Sequence, residues 1–401
     1  MSLIVQKFGG TSVANADRLR NVAQIITEKY KKGNDMVVVV SAQGDTTDDL
    51  IAKAAEVNDH PSKREMDMLL TAGEQMSASL LAMTIEKMGY PVVSLLGWQA
   101  GFITTTDYGN ARIKTVDPQR IRKELDKRNI VIVTGFQGIN RYDDMTTLGR
   151  GGSDTSAVAI ACVMKADLCQ IYTDVDGVYT ADPRKVENAI KLPMISYDEM
   201  LELATLGAQV LHNRSVEMAK KYGLELEVLS SITKQPGTIV KEITKMEKML
   251  ISGVAKDTNI ARISIIGVPD KPGLAFRVFS KLSAKNINVD IILQSVGRNG
   301  TKDISFTIAQ DNLKLALDLL EPYAEALGAT GVVYNEHVAK VSIVGAGMES
   351  HPGVAADMFE ALYGANINIH MISTSEIKIS VLIDESEADA AVQAVHNKFF
   401  R

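Results

Sequence analysis

The chain has 401 residues, 46% hydrophobic and 23% charged, with a formal net charge of −6. That length predicts two to three domains, and the apolar content excludes a disordered chain. No apolar run approaches the roughly 18 residues of a membrane-crossing helix, and the mild negative charge without a long Lys/Arg cluster argues against a nucleic-acid or anionic-membrane surface.

In chain order, residues 3–7 read as a strand and 17–30 as a helix with Leu19, Val22, Ile26 and Tyr30 on one face. Residues 36–40 are continuously apolar, as in a central strand buried on both sides. Further strand-like runs fall at 92–96, 130–136, 168–173 and 224–229, with helical patterns such as 157–164 and 197–206 between them. This alternation predicts an open, mostly parallel α/β sheet with helices on both faces over residues 1–240. Pro236-Gly237 closes that block, and the charged stretch 241–248 reads as a linker.

The remainder follows another pattern. Strand 261–268, helix 274–285, strands 286–294 and 303–309, helix 312–327 and strand 331–336 give the order βαββαβ. The order then restarts with strand 339–344, helix 353–363, strands 368–374 and 376–383 and helix 386–399. Matching text supports a repeat: A-K-N-I-N-V-D-I-I against G-A-N-I-N-I-H-M-I. The second copy is one strand short, while residues 249–255 form an unclaimed strand ahead of the first. The expected organisation is therefore one α+β unit, 261–337, inserted within another made of 249–256 and 338–401. An extra edge strand or a piece of linker is the simpler alternative for 249–255.

Several motifs carry chemistry. Lys7-Phe8-Gly9-Gly10-Thr11-Ser12 lies between the first strand and the first helix. Adjacent glycines let backbone amides approach a ligand, a following helix N-terminus favours anions, and Lys7 adds charge for a phosphate. A purely structural tight turn explains Gly-Gly equally well. Neither G-x-x-x-x-G-K-[ST] nor, at this turn, G-x-G-x-x-G is present. Gly149-Arg-Gly-Gly-Ser-Asp-Thr155 is a second anion-ready turn, in which Arg150 suits a carboxylate and Asp154 reads as a site group or a helix cap. Residues 172–184 place Asp174, Asp176 and Asp182 on a loop beyond a buried strand, where open α/β sheets keep ligand residues. The spacing lacks the calcium-loop pattern. Residues 41–49 are rich in hydroxyls and carboxylates. Glu74, beside Gly73 in helix 65–88, reads either as an exposed neighbour of the core or as a partner for an ammonium group. Cys162 and Cys169 sit in apolar stretches and make no disulfide framework or C-x-x-C metal pair, and residues 1–7 carry no secretion signal, so a cytoplasmic setting is expected. None of the six histidines falls in these motifs, and His212, after a helical segment, reads as structural.

K-F-G-G-T-S, G-R-G-G-S-D-T and Y-T-D-V-D-G-V-Y-T-A-D-P-R, in this order, resemble the aspartate kinase family of the amino-acid kinase superfamily. The tail resembles its paired ferredoxin-like ACT domains, including S-H-P-G-V and I-S-T-S-E-I. The resemblance implies an ATP- and Mg²⁺-dependent transfer of phosphate to the β-carboxylate of L-aspartate, of the monofunctional lysine-pathway type. That reaction opens lysine, threonine, methionine and diaminopimelate synthesis. It implies that Lys7 neutralises the transferring group, that Asp154 orients the lysine side chains and the phosphates, and that Phe8, Gly9, Gly10 and Ser41 contact the nucleotide. Thr173, Asp174, Tyr179, Thr180, Ala181, Asp182, Pro183 and Arg184 would frame it further. Glu74 would take the ammonium of aspartate and Arg150 its α-carboxylate, with Asp45, Thr46, Thr47, Asp48, Asp49, Gly151, Gly152 and Ser153 around them. No protein side chain is assigned to a metal.

For the tail the resemblance implies binding of an amino-acid effector, lysine with threonine as a second candidate. One half-site would comprise Asp270, Lys271, Pro272, Gly273, Leu274, Ala275, Asn288, Val289, Asp290 and Gln294. The other would comprise Val354, Ala355, Asn368, Ile369, Ser375 and Glu376. Pairing of ACT sheets implies a homo-oligomer, and Met246 or Met249 would start a separately translated regulatory subunit of the kind found in similar enzymes. The rival readings are acetylglutamate kinase, glutamate 5-kinase or uridylate kinase on the same fold, and a non-catalytic amino-acid sensor.

Overall fold

The structure, a computed structural model, describes residues 2–206, 210–233, 235–243, 250–295, 300–348 and 351–400. The chain forms two compact units. The first comprises Met1–Tyr179, Lys191–Thr205 and Gln209–Met246; the second comprises Thr180–Ile190, Leu206–Ala208 and Glu247–Arg401.

The first unit begins β1 (Leu3–Phe8), α1 (Ala16–Lys31), β2 (Asp35–Val40), α2 (Thr46–Val57), α3 (Lys63–Lys87), β3 (Val92–Leu95), β4 (Phe102–Thr104), β5 (Ile113–Val116), α4 (Gln119–Asp126) and β6 (Ile130–Thr134). It continues β7 (Gln137–Ile139), β8 (Met145–Thr147), α5 (Gly152–Met164), β9 (Leu168–Thr173), β10 (Met194–Ile195), α6 (Tyr197–Thr205), α7 (Asn213–Tyr222), β11 (Leu226–Ser230) and β12 (Thr238–Val240). An eight-stranded sheet runs β10-β12-β11-β9-β1-β2-β6-β3, parallel except for the β11/β12 pair. The apolar run of β2 explains its central place: side chains alternate between faces, and Met36 to Val40 are all fully buried. Met36, Val38 and Val40 pack with Val22 and Ile26 of α1 and Leu81 and Ile85 of α3. Helices α4 and α5 also pack on β2, so the two sides of the strand are both covered.

A second sheet, β5-β4-β7-β8, has strands of only three or four residues and was not foreseen, because so few positions show no period. Helix α2 was not foreseen either, and Thr46, Thr47, Asp48 and Asp49 lie in its first turn.

In the second unit the elements are β13 (Gly253–Asp257), β14 (Ala261–Pro269), α8 (Leu274–Ser283), β15 (Val289–Gln294), β16 (Thr301–Ile308), α9 (Leu313–Leu327) and β17 (Gly331–Asn335). Then follow β18 (Val338–Val344), α10 (Val354–Gly364), β19 (Met371–Thr374), β20 (Lys378–Asp384) and α11 (Ala388–Phe399). Two four-stranded sheets result, β15-β16-β14-β17 and β13-β18-β20-β19. β17 pairs antiparallel with β14, and β13 pairs antiparallel with β18. The strand ahead of the first copy thus holds, in the second sheet, the place that β17 holds in the first.

The copies match in detail. Gly273 (φ 88°) and Gly353 (φ 105°) cap α8 and α10 in the left-handed region, which costs a glycine little. Asn286 and Asn366, with φ 56° and 57°, turn the chain after those helices. Ser264 and Ser305 join their hydroxyls at 2.7 Å, as do Ser342 and Ser380. Met246, Met249, Ser350 and most of the expected linker lie outside the described residues. Among the described residues no helix is long and apolar enough to cross a membrane.

Candidate active site

Both glycine turns of the first unit open on one cleft of about 640 Å³, lined by Lys7, Gly9, Gly10, Ser41, Thr47, Asp48, Glu74 and the residues from Gly149 to Asp154, among others. β1 brings Lys7 to the cleft, and its Nζ lies 2.7 Å from Oδ1 of Asp154, both side chains nearly enclosed. Helix α5 starts at Gly152, so Asp154 sits inside its first turn; the N-cap is Gly151, in the left-handed region at φ 67°. The cap alternative for Asp154 is thereby removed, and its carboxylate serves Lys7 instead. Phe8 is fully buried and stacks on Tyr172 at 4.5 Å, which leaves only its backbone for a ligand.

Gly10 is required by close approach. A Cβ there would fall 2.7 Å from the Ala42 carbonyl and 3.1 Å from that of Gly44. Both are backbone atoms, so the β2–α2 loop has to move to admit a methyl group. Gly10→Ala is expected to lower turnover about 10²-fold, the scale of a 1 Å displacement of reacting groups. Steady-state rates measured beside a thermal melt check this.

Gly73 plays the same part on α3, where a Cβ would meet Ala42 Cβ at 2.8 Å. That approach brings Ala42 N to 3.1 Å from Oε1 of Glu74. Glu74 is buried and Oε2 has no hydrogen-bond partner among the described residues. Burial pushes its carboxyl up to about 7, against the opposing amide of Ala42. An enclosed carboxyl of this kind is a candidate partner for a cation. Arg150 is exposed at the cleft and its side chain makes no ion pair among the described residues.

Asp67 is a cleft residue that sequence reasoning missed. Fully buried, it accepts from Gly109 N and Thr147 N at 2.9 Å each and from Thr147 Oγ1 at 2.7 Å, tying β8 and the 105–112 loop to α3. Its spacing of seven from Glu74, two turns along one helix face, was the available signal.

Not every expected residue reaches the cleft. Asp45 and Asp49 are exposed and do not line it, and Thr46 packs towards α3, its Cγ2 3.6 Å from where a Gly73 Cβ would be. Thr173 ends β9 and Asp174 follows it beside the Gly9 turn, where Gly9 N donates to Tyr172 O at 3.3 Å, but they do not line the cleft either. Tyr179 donates to Asp176, which also pairs with Lys191. Thr180–Ile190 belongs to the second unit: Thr180 is buried with its Oγ1 2.8 Å from His396 Nε2, and Ala181 lies in that unit's apolar core. Both side chains are buried within that unit. Asp182 and Arg184 pair with each other at 3.0 Å, and Pro183 is exposed.

In the second unit Gly273, Leu274 and Ala275 form the start of α8, and Val354 and Ala355 the start of α10. Asp270, one of the two carboxylates with Glu376 that could take an effector ammonium, pairs with Lys302 at 2.8 Å. Asp290 pairs with Lys340, a buried β18 lysine that also lies 3.7 Å from Asp257 and that no motif announced. Lys271, Pro272, Asn288, Gln294, Asn368, Ser375 and Glu376 are exposed, and Val289 and Ile369 are half-buried.

Lysine, glycine amides, a helix N-terminus and an arginine around one cleft define a site for phosphoryl transfer to an anionic acceptor. Among the described residues no three His, Cys, Asp or Glu side chains gather to cage a metal ion. Mg²⁺ carried by a nucleotide needs no such cage, because it takes most of its ligands from phosphate and water.

Comparison with known proteins agrees. Residues 2–230 match the amino acid kinase family, and residues 261–325 and 341–399 each match an ACT domain. The chain is 52% identical over 405 residues to the aspartokinase of Mycolicibacterium smegmatis, covering 100% of this chain and 96% of that one. The structure of E. coli aspartokinase III with aspartate and ADP (R-state) superposes with a TM-score of 0.84 at 26% identity, covering 100% of both chains. The same protein with lysine and aspartate (T-state) gives a TM-score of 0.76 at 26% identity, again over 100% of both chains. The chain belongs to the amino acid kinase family, within it to the aspartokinases with two ACT domains.

Proposed function

We propose that this chain transfers the γ-phosphoryl group of ATP to the β-carboxylate of L-aspartate, giving 4-phospho-L-aspartate and ADP. The observation that carries the reading is the single cleft holding both the Lys7–Asp154 pair and the buried, half-unpartnered Glu74. A β-carboxylate oxygen forms the new bond to phosphorus as the bond to the ADP oxygen breaks, and no proton need move. The acceptor is already an anion, so the protein's task is in-line positioning and neutralisation of charge on the equatorial oxygens. Lys7 supplies positive charge, the Gly9–Gly10 amides and the first turn of α5 donate to phosphate oxygens, and Asp154 holds Lys7 in place. Glu74 takes the substrate ammonium and Arg150 its α-carboxylate, with Thr47 and Ser153 beside them. Mg²⁺ bound to the nucleotide supplies further neutralisation.

The proposed reaction opens the lysine, threonine, methionine and diaminopimelate pathways, in a cytoplasmic setting. An ADP-release assay should respond to aspartate and not to glutamate, N-acetylglutamate or UMP; a preference for any of these three overturns the assignment.

The same reading makes the second unit an effector module for lysine, with threonine acting beside it, and the pair of ACT sheets an oligomer contact. The lysine complex of E. coli aspartokinase III supports the first part. Exposed Ile292 and Ile372, at matching positions on edge strands β15 and β19, support the second. Lysine and threonine are expected to inhibit more strongly together than the product of their separate effects. Turnover titrated with each and both checks this, and reciprocal linkage requires aspartate and ATP to weaken lysine binding.

A further inference from the structure

His212 immediately precedes α7 and belongs to none of the motifs, yet it touches the turn that carries Arg150. A Cβ on Gly151 would fall 2.3 to 2.4 Å from Cγ, Cβ and Cδ2 of His212, so the imidazole occupies the space a side chain there would take. The turn is held from within by backbone carbonyls alone, which accept from Gly152 N (Gly149 O, 3.0 Å) and from Thr155 Oγ1 (Gly151 O, 3.2 Å). Gly149, Gly151 and Gly152 supply no side chains, and Gly149 and Gly151 both have positive φ.

The imidazole is tied to the start of α7: its Nδ1 accepts from Arg214 N at 3.4 Å, which leaves the proton on Nε2, and the backbone carbonyl of His212 accepts from Ser215 Oγ at 2.6 Å. Burial keeps the ring below the usual histidine value, with the Asp154 carboxylate opposing that shift. Arg214 reaches the same turn from its other end, donating to Leu148 O at 2.7 Å and to Ala111 O at 3.0 Å. The start of α7 therefore grips both sides of the glycine turn. Capping alone does not call for histidine here, since Ser, Asn or Asp caps a helix better.

We propose that His212 is a positioning residue for phosphoryl transfer, its imidazole bracing the Gly149–Gly152 turn so that Arg150 meets the substrate α-carboxylate. The proposal rests on the reading of Arg150 given above. His212→Asn tests the ring itself, because asparagine keeps Cβ, Cγ and a side-chain acceptor for the α7 cap and removes Cδ2 and the rest of the imidazole from Gly151. The expected result is a KM for aspartate raised roughly 10–100-fold, with the KM for ATP and the thermal midpoint close to the parent. Because His212 acts through Arg150, adding His212→Asn to Arg150→Ala should raise KM no further; full additivity overturns the proposal. A parental KM for aspartate in His212→Asn also overturns it, leaving the ring as a cap. If Arg150→Ala itself leaves KM unchanged, the assignment of Arg150 fails and the proposal with it. A raised KM in Arg150→Ala beside a parental one in His212→Asn rejects only the role of His212.

Discussion

Lys7→Ala is expected to lower turnover about 10³-fold or more, the scale on which removal of one preorganised charge or donor acts at a phosphoryl-transfer centre. Stability should change too, because the pair it breaks is nearly enclosed and Asp154 would remain without its cation. Removing one partner of a buried pair costs about 3–5 kcal/mol, whereas removing both charges is often close to neutral. The double variant Lys7→Ala/Asp154→Asn should therefore recover most of the lost melting temperature and none of the lost turnover. If the double variant recovers activity along with stability, Lys7 is a structural group and the chemistry lies elsewhere. Near-parental turnover in Lys7→Ala has the same consequence.

Glu74→Gln is expected to raise the KM for aspartate about 10–100-fold, the worth of one hydrogen bond to a charged group. Its pH signature is more specific. The carboxyl stands at about 7 in the folded protein against an ordinary 4.5. Between those values the folded protein keeps a proton that the unfolded chain has released, so stability falls as pH rises across the window. The full loss is about 3 kcal/mol once pH exceeds 7. An arriving ammonium reverses the preference and favours the ionised form. Aspartate should therefore bind more tightly as pH rises through about 7, with release of a proton. Melts at pH 5 and pH 8 and an aspartate KM profile test both halves. In Glu74→Gln the dependence should flatten; a persisting dependence assigns the titration to another group.

What the sequence made legible divides along physical lines. Six strands of the large sheet could be read, the central ones because burial on both faces demands uninterrupted apolar runs, as in β2 and β6; β10 and β12, of two and three residues, could not. The small sheet of residues 102–147 could not, because its strands are too short for a pattern and owe their pairing to one another. Lys7, the glycine turns and Arg150 were visible because phosphate and carboxylate chemistry restricts which residues serve. Glu74 was visible only as two alternatives, since its burial depends on α3 closing on Ala42 across Gly73. Thr180 and Ala181 looked like loop residues beyond a strand. Their burial depends on partners such as His396, 216 positions away, which no local pattern reports. His212 was read as structural, and the backbone of Gly151 beneath its ring connects it with the cleft.

The strand order of the second unit also dictates a sequence of events in time. β13 finds its partner β18 only across the whole inserted copy, with Gly253 opposite Val344. During synthesis β13 emerges first and waits, its edge unpaired, while residues 261–335 complete a sheet of their own. That intermediate folding draws the two ends of the insertion together and removes most of the closure entropy that a flexible loop of this length would impose. The C-terminal sheet is thus expected to close last, with the earlier copy already folded. A lesion in the inserted copy should slow the refolding of its neighbour, even where no residue of that neighbour is changed.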